Sequence, residues 1–395
     1  MKWLNQKRIS IYPRIFIALY IIVYCYTIFP GLYGDNILDR NGIPIGADFS
    51  NFYSAASLAL SQSPAATYDF LKMRAAQVKT IGAQPESIGG MWWVYPPTFL
   101  LLLLPFAFFP YFVSLAIWLI TTILGYLKVV LRIAPSQQTI WLTLAFPGTF
   151  QNLAHGQNGF LSAAILGGGL LLLDRYAFIG GILLGFLCYK PQLLVLIPVA
   201  LIAGRRWKAL VGVSISVLSL VLSSMLIMGT EVWSAFWQSI PLARKLYESG
   251  AMPIFKIGTV FNAALLAGAS YETARALHAI IMICAAIAVF FVWFRDTSLP
   301  IRGSVLVLSI LLFTPHALPY DFVLLALPIA WLGWQGYTEG WMPLEKPFLL
   351  LAWLLPLLIP IIGKTTLQVT PLIIFILLIL ALKRGKMEKM AGNCS

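Results

Sequence analysis

The chain is expected to be an all-α polytopic membrane protein, and three observations carry that expectation. Hydrophobic residues make up 60% of the sequence and charged residues only 10%, with a mean hydropathy of +0.86, whereas a soluble domain carries about 25% charged residues. The apolar runs have the length and spacing of helical spans, about twenty residues per crossing of the hydrocarbon core. They lack the alternation of barrel strands. All 395 residues are read as one integral membrane domain.

A net charge of +13 would suggest nucleic acid in a soluble protein. Here Lys and Arg cluster at the chain ends and in short loops, as the positive-inside rule requires, so no nucleic-acid partner is expected and the surroundings are membrane lipids. Cys25, Cys188 and Cys284 lie within or at the ends of apolar runs and Cys394 lies in the basic tail, which gives neither a disulfide framework nor metal-ligand spacing. The run beginning near Ile15 is full length and has no small-residue cleavage site at its end, so it reads as a first span and not as a signal peptide.

In chain order, Lys2, Lys7, Arg8 and Arg14 place the N-terminus in the cytoplasm. Residues 35–93 then form a first outer loop. Within it, Phe49, Phe52, Ala56 and Leu60 recur at spacings of three and four, predicting a short amphipathic helix along the membrane surface with Asp48 at its start. A second surface helix is expected over residues 67–80, with Leu71, Ala75 and Val78 on one side. Trp92 and Trp93 form an aromatic belt, and Pro96 and Pro97 start the next helix. Between Pro97 and Arg132, Pro105 and Pro110 break two apolar runs: Lys128 and Arg132 require an odd number of crossings, the run lengths suggest two, and one segment is read as short or re-entrant.

Further spans are expected over residues 140–153, 160–173, 177–189, 193–203 and 210–228, several too short to cross upright and therefore shielded by neighbours. Gly181 and Gly185 permit close helix packing. Arg205, Arg206 and Lys208 mark the cytoplasm, and residues 229–270 form a second outer loop whose Trp233, Phe236, Trp237 and Ile240 make an interfacial face. Spans over 274–294 and 305–313 lead in and out again to the turn holding His316 and Asp321. Two more, over 348–362 and 369–382, leave Lys383, Arg384, Lys386 and Lys389 inside.

Ionisable side chains are costly in such a chain and point to function. Asp48, His155, Gln157, Asn158, Lys190, His316, Tyr320 and Asp321 all fall on the outer face by this count, and can surround one cavity. Each has a plainer reading beside the functional one. Asp48 and Asp321 can cap helices, Lys190 can snorkel to the interface, and His155 and His316 can satisfy loose carbonyls at helix ends. Gln157 and Asn158 can serve as interhelical glue, and His278 as a packed core histidine.

The ordered set Asp48-Phe-Ser-Asn-Phe-Tyr-Ser-Ala-Ala56, Tyr95-Pro-Pro97, Gly156-Gln-Asn158, Lys190-Pro191, Pro315-His316 and Tyr320-Asp321 resembles glycosyltransferase family 87. This is a family of GT-C membrane enzymes that includes a mycobacterial phosphatidylinositol-mannoside mannosyltransferase. The resemblance implies a GT-C-type bundle of about 11–13 transmembrane helices with interfacial helices in the outer loops, in a bacterial cytoplasmic membrane. It implies a polyprenyl-phosphate sugar donor, with mannose as the sugar, a lipid or glycan acceptor, and an active site on the extracytoplasmic face. Asp48 matches the catalytic base, which removes a proton from the acceptor hydroxyl for an inverting displacement. Lys190 and His316 are placed at the leaving phosphate, with Gln157, Asn158, Tyr95, Tyr320, Asp321 and His155 shaping the sugar and phosphate pocket. With no carboxylate cluster suited to a divalent ion, neither a metal nor another cofactor is expected.

Two rival readings remain at this stage. A transporter or flippase of lipid-linked sugars would place its polar groups at the midplane between repeats, and no inverted repeat is evident. A ligase using a lipid-diphosphate donor would want outer loops richer in Arg than Arg40, Arg74 and Arg244 make them.

Overall fold

The computed structural model describes residues 6–34, 36–82, 92–248, 254–365 and 367–392. Lys2, Asp35, parts of both outer loops (83–91 and 249–253) and Cys394 lie outside the described residues, as does the Lys389 side chain. Among the described residues every regular element is helical, apart from one isolated antiparallel bridge between Leu38 and Pro44. Helix α1 (Gln6–Ile28) is long, apolar and almost unburied. It is a peripheral, lipid-facing helix.

The first outer loop departs from the surface layer read from its sequence. Helix α2 (Ala47–Ser61) buries residues on all sides, including Phe49, Ser50, Phe52, Ser54, Ala55 and Leu58. It is a core element, walled in by aromatic rings at Phe99, Phe106, Tyr111 and Trp118. Helix α3 (Phe70–Ile81) turns Met73, Gln77 and Ile81 inward, and leaves Leu71 and Ala75, on the apolar side read from the sequence, exposed. A polar contact sets this rotation, because buried Gln77 donates to Asn51 on α2 at 2.8 Å and an unpaired buried amide would cost more than an exposed leucine. Trp93 is likewise buried among rings, while Trp92 stacks on Phe70.

Helix α4 (Pro97–Leu103) runs into a 3-10 turn that ends at Phe108. Together residues 97–108 reach only about 18 Å. Both ends meet α2, through Phe52–Phe99 at the start and the Tyr53 hydroxyl on the Phe109 carbonyl at the finish. The segment is therefore short and held against α2 at both ends, and α5 (Tyr111–Ile133) is the one full-length helix between Pro97 and Arg132.

The expected span over 140–153 is instead two short helices, α6 (Gln137–Leu144) and α7 (Pro147–His155). Pro147 supplies the break, since it has no N–H to donate and its ring clashes with the preceding turn. Helices α8 (Gly159–Leu172), α9 (Ala177–Gly185), α10 (Pro191–Leu194) and α11 (Leu196–Ala203) are short and densely packed, and α12 (Trp207–Met228) is full length. Helices α9 and α12 meet through Gly181 and Gly212, where an added Cβ would come within 2.0 Å and 2.3 Å of backbone oxygens. Lipid tails are as apolar as leucine, so this close backbone fit, and not hydrophobic burial, drives the pairing.

Helix α13 (Glu231–Glu248) buries Val232 and Phe236 and leaves Trp237 and Ile240 exposed, an interfacial arrangement. After α14 (Val260–Leu266) come α15 (Tyr271–Phe294) and α16 (Leu299–Phe313). A 3-10 turn, Pro319–Leu325, leads into α17 (Ala326–Glu339), followed by α18 (Glu345–Ile362) and α19 (Thr370–Gly392). Helix α17 was absent from the sequence reading. It supplies the extra passage that returns the chain to the end where Arg302 and Arg384 sit. Among the described residues five helices, α1, α5, α12, α15 and α18, are long and apolar enough to cross a membrane, and shorter apolar helices fill the space among them. The chain is an all-α polytopic membrane protein.

The bundle has two polar ends. At one, Asp174 after α8 meets Arg206 before α12 at 3.0 Å and contacts Arg302 on α16, while Asp296 contacts both arginines. Three interhelical turns are thus tied together. On the same level Arg384 of α19 holds Glu345 of α18 in a two-pronged pair at 2.7 and 2.8 Å, with the Glu345 side chain fully buried. Removing one partner of a buried pair costs about 3–5 kcal/mol, because the other charge is left without compensation. We expect Arg384→Met to lower the thermal unfolding midpoint of the detergent-solubilised protein sharply, and the double substitution Arg384→Met with Glu345→Leu to recover most of the loss.

Candidate active site

At the other end, segments from five parts of the chain converge. Helix α2 begins after Gly46, which holds a left-handed φ of +66° and is the N-cap residue, with no side-chain cap bond. Asp48 therefore sits inside the first turn and does not perform the capping role. Its Oδ2 lies 3.2 Å from His155 Nδ1, and both side chains are partly exposed. The Tyr111 hydroxyl anchors the approach to α2 by donating to the Ile45 carbonyl.

His155 reaches Asp48 because α7 ends at Gly156, with φ +61°, at a point where a Cβ would stand 2.6 Å from the Phe49 Cβ. Only glycine allows both the left-handed turn and that approach. The Trp118 indole fixes the turn by donating to the Gly156 carbonyl at 3.0 Å. The next residue, Gln157, is buried, and its Oε1 accepts from the Asn158 backbone at 2.8 Å and from the Tyr95 hydroxyl at 3.3 Å. Tyr320 stands beside this turn, its ring centroid 5.5 Å from that of His155. The turn thus connects the two charged parts of the site.

Lys190 stands where the 3-10 turn after α9 gives way to Pro191. It is buried, with Nζ donating to Asn158 Oδ1 at 2.9 Å and to Asp321 Oδ1 at 2.6 Å. The snorkelling reading of Lys190 is therefore excluded. Asp321 uses its second oxygen to accept from the Leu318 backbone at 2.9 Å, so it both caps its turn and holds the ammonium. His316 feels both charges. Burial lowers its pKa, with the Asp321 carboxylate opposing and the Lys190 ammonium adding to the shift, so the imidazole is neutral at neutral pH. Burial raises the Tyr95 and Tyr320 phenols well above their ordinary value, and the Asp48 and Asp321 carboxylates add to it. Both remain O–H donors.

All nine residues singled out from the sequence thus meet in one cluster. His278 is buried within α15. Among the described residues no three His, Cys, Asp or Glu side chains converge in a way that would hold a metal ion. The supports Tyr111, Trp118 and Tyr189 escaped sequence reading, since an aromatic residue in an apolar run is indistinguishable from core. Tyr189 bonds Ser162 at 2.7 Å and stacks on Phe99 beside Lys190.

The model of glycosyltransferase family 87 matches residues 93–315, and the chain belongs to that family. It is a glycosyltransferase. The matched segment contains Tyr95, His155, Gln157, Asn158 and Lys190; Asp48 precedes it, and His316, Tyr320 and Asp321 follow immediately after its end. No curated protein and no solved structure matches the chain.

The Gly156 turn offers a direct check on how the cluster is held together. Gly156→Ala forces a left-handed alanine, at about 1–2 kcal/mol, and a clash with Phe49. We expect it to lower the unfolding midpoint and to reduce transfer activity more than Gly268→Ala does, since a Cβ at Gly268 meets open space.

Proposed function

We propose that the protein transfers a sugar, mannose in the first instance, from a polyprenyl-phosphate donor to an acceptor hydroxyl on a lipid or glycan, at the extracytoplasmic face of a bacterial cytoplasmic membrane. The observation that carries this reading is the separation of the cluster into two charged pairs, Asp48–His155 and Lys190–Asp321, joined through the Gln157–Asn158 turn and flanked by Tyr95 and Tyr320. An inverting displacement needs a proton acceptor on one side of the sugar ring and charge compensation on the other, and two linked but distinct pairs suit that division.

In this mechanism the Asp48 carboxylate takes the proton of the acceptor hydroxyl while the oxygen attacks the anomeric carbon. The bond from that carbon to the phosphate oxygen breaks, and the electron pair leaves on polyprenyl phosphate. His155, bonded through Nδ1, orients Asp48. Phosphate is a good leaving group, so the demand on the protein is to compensate the additional negative charge that develops on it. Lys190 is already matched by Asp321, which leaves His316 to supply the new positive charge by taking up a proton as the anion binds. Tyr95 and Tyr320 donate hydrogen bonds to the sugar or phosphate.

The test uses purified, detergent-solubilised protein with radiolabelled polyprenyl-phosphate-mannose and a lipid extract from the host. We expect label in a new glycolipid with the wild type, and a loss of about 10²–10⁴-fold for Asp48→Asn. Retention of full activity by Asp48→Asn would move the base elsewhere. His155→Ala should slow transfer about tenfold, the effect of losing one orienting hydrogen bond.

The protonation state of His316 gives a further prediction. Burial lowers its pKa and a bound phosphate raises it, so binding of polyprenyl phosphate takes up a proton and tightens as pH falls. Calorimetry in buffers of different ionisation enthalpy measures the uptake directly, and His316→Asn should remove it.

A further inference from the structure

A groove of about 570 Å³ opens on the side of the bundle at the end opposite the Asp48 cluster. Its walls are α15, through Cys284, Ile287 and Phe291, and α19, through Ile379 and Leu382; Ile301 of α16 lies at its floor. Both wall helices pack on α16, so the groove is the cleft left between them. Its apolar lining is open to the surroundings: Ile287 is 49% exposed and Phe291 50%.

The dimensions and charges of this cleft are specific. From Cys284 to Arg295 the α15 wall rises about 16 Å, close to the hydrocarbon depth of one leaflet, half of about 30 Å. At the level where the apolar lining ends, three cations ring the mouth: Arg295 at the end of α15, and Lys383 and Lys386 on successive turns of α19. Among the described residues no carboxylate lines the groove. The nearby acids have other partners, Asp296 on Arg206 and Arg302 and Glu388 on Ser298. Arg384 turns away to Glu345. An apolar slot one leaflet deep, topped by three basic side chains, matches an amphiphile with an anionic head and an aliphatic tail.

We infer that this groove binds an anionic glycerophospholipid, with its headgroup phosphate against Arg295, Lys383 and Lys386 and one acyl chain lying between α15 and α19. The site is separate from the catalytic cluster. Helix α16 runs from the groove at Ile301 toward His316, about 20 Å away along the chain, so a lipid held here does not occupy the place where a donor phosphate would react. The inference does not depend on which sugar or donor the enzyme uses.

Phosphatidylglycerol, phosphatidylcholine and inorganic phosphate serve as probes. Each is titrated into the detergent-solubilised full chain, with the unfolding midpoint and native mass spectrometry of retained lipid as readouts. Phosphatidylglycerol should raise the midpoint, and phosphatidylcholine and inorganic phosphate should not. The triple substitution Arg295→Gln, Lys383→Gln and Lys386→Gln should weaken phosphatidylglycerol about 100-fold, as expected for three basic side chains at a lipid headgroup. A control triple with the same loss of charge, Arg175→Gln, Lys208→Gln and Lys346→Gln, should leave binding intact. All three groove cations are exposed, and single substitutions at Lys383 and Lys386, read by mass spectrometry, keep the test decisive if the triple variant does not fold. Equal shifts with phosphatidylcholine, equal loss in the control triple, or the full effect with inorganic phosphate would each overturn the inference.

Discussion

The site depends above all on the contact between Lys190 and Asp321. A buried ammonium is costly unless it is paired and hydrogen-bonded, and Lys190 receives a carboxylate from one segment and an amide oxygen from another. These two bonds bring together α8, the junction before α10, and the turn that opens α17. Once they form, Asn158 is fixed, and Gln157 beside it accepts from Tyr95. His155 and Asp48 complete the chain of contacts on the far side of the Gly156 turn. The electrostatic demand of one lysine thus organises groups that lie far apart in the sequence.

That demand also explains why the bundle is built of so many short helices. A 3-10 turn and a proline place Lys190 inside the protein, and similar breaks at Pro147 and Pro319 bring α7 and the Asp321 turn to the same level. Irregular backbone at membrane depth is tolerated only where protein shields it. Full-length helices such as α1 and α12 provide part of that shield. At the opposite end the arginine–aspartate contacts around Asp174 and Arg302 fix the turns from which these short helices start, so the broken segments are anchored at one end and shaped for chemistry at the other.

The sequence made the helical membrane class legible through composition, and it made the cluster legible through cost, since Asp48, His155, Lys190 and Asp321 stand out against an apolar background. Facing and continuity were harder to read. Helix α3 followed its buried Gln77 and not its leucine, because a polar contact with Asn51 outweighs apolar periodicity in a chain where apolar residues are everywhere. Helix α17 was hidden by its 3-10 entry and by Pro328, which blur the boundary that a periodic pattern would show. Asp48 looked like a capping residue because glycine at the true N-cap gives no side-chain signal. The aromatic supports around α2 were unreadable for the opposite reason, that nothing distinguishes a ring gripping a carbonyl from a ring filling space.

The glycine contact between α9 and α12 bears on how the protein is made. Nine residues of α9 are too few to partition stably into a bilayer by themselves, and the helix completes its packing only against α12. The matching surface at Gly212 is synthesised roughly thirty residues later, a delay on the order of a few seconds at ribosomal rates of about 5–20 residues per second. During that interval α9, and the lysine that follows it, must be sheltered by the insertion machinery or by the helices already in place. Assembly of the end that holds Lys190 is therefore tied to the order in which the chain leaves the ribosome.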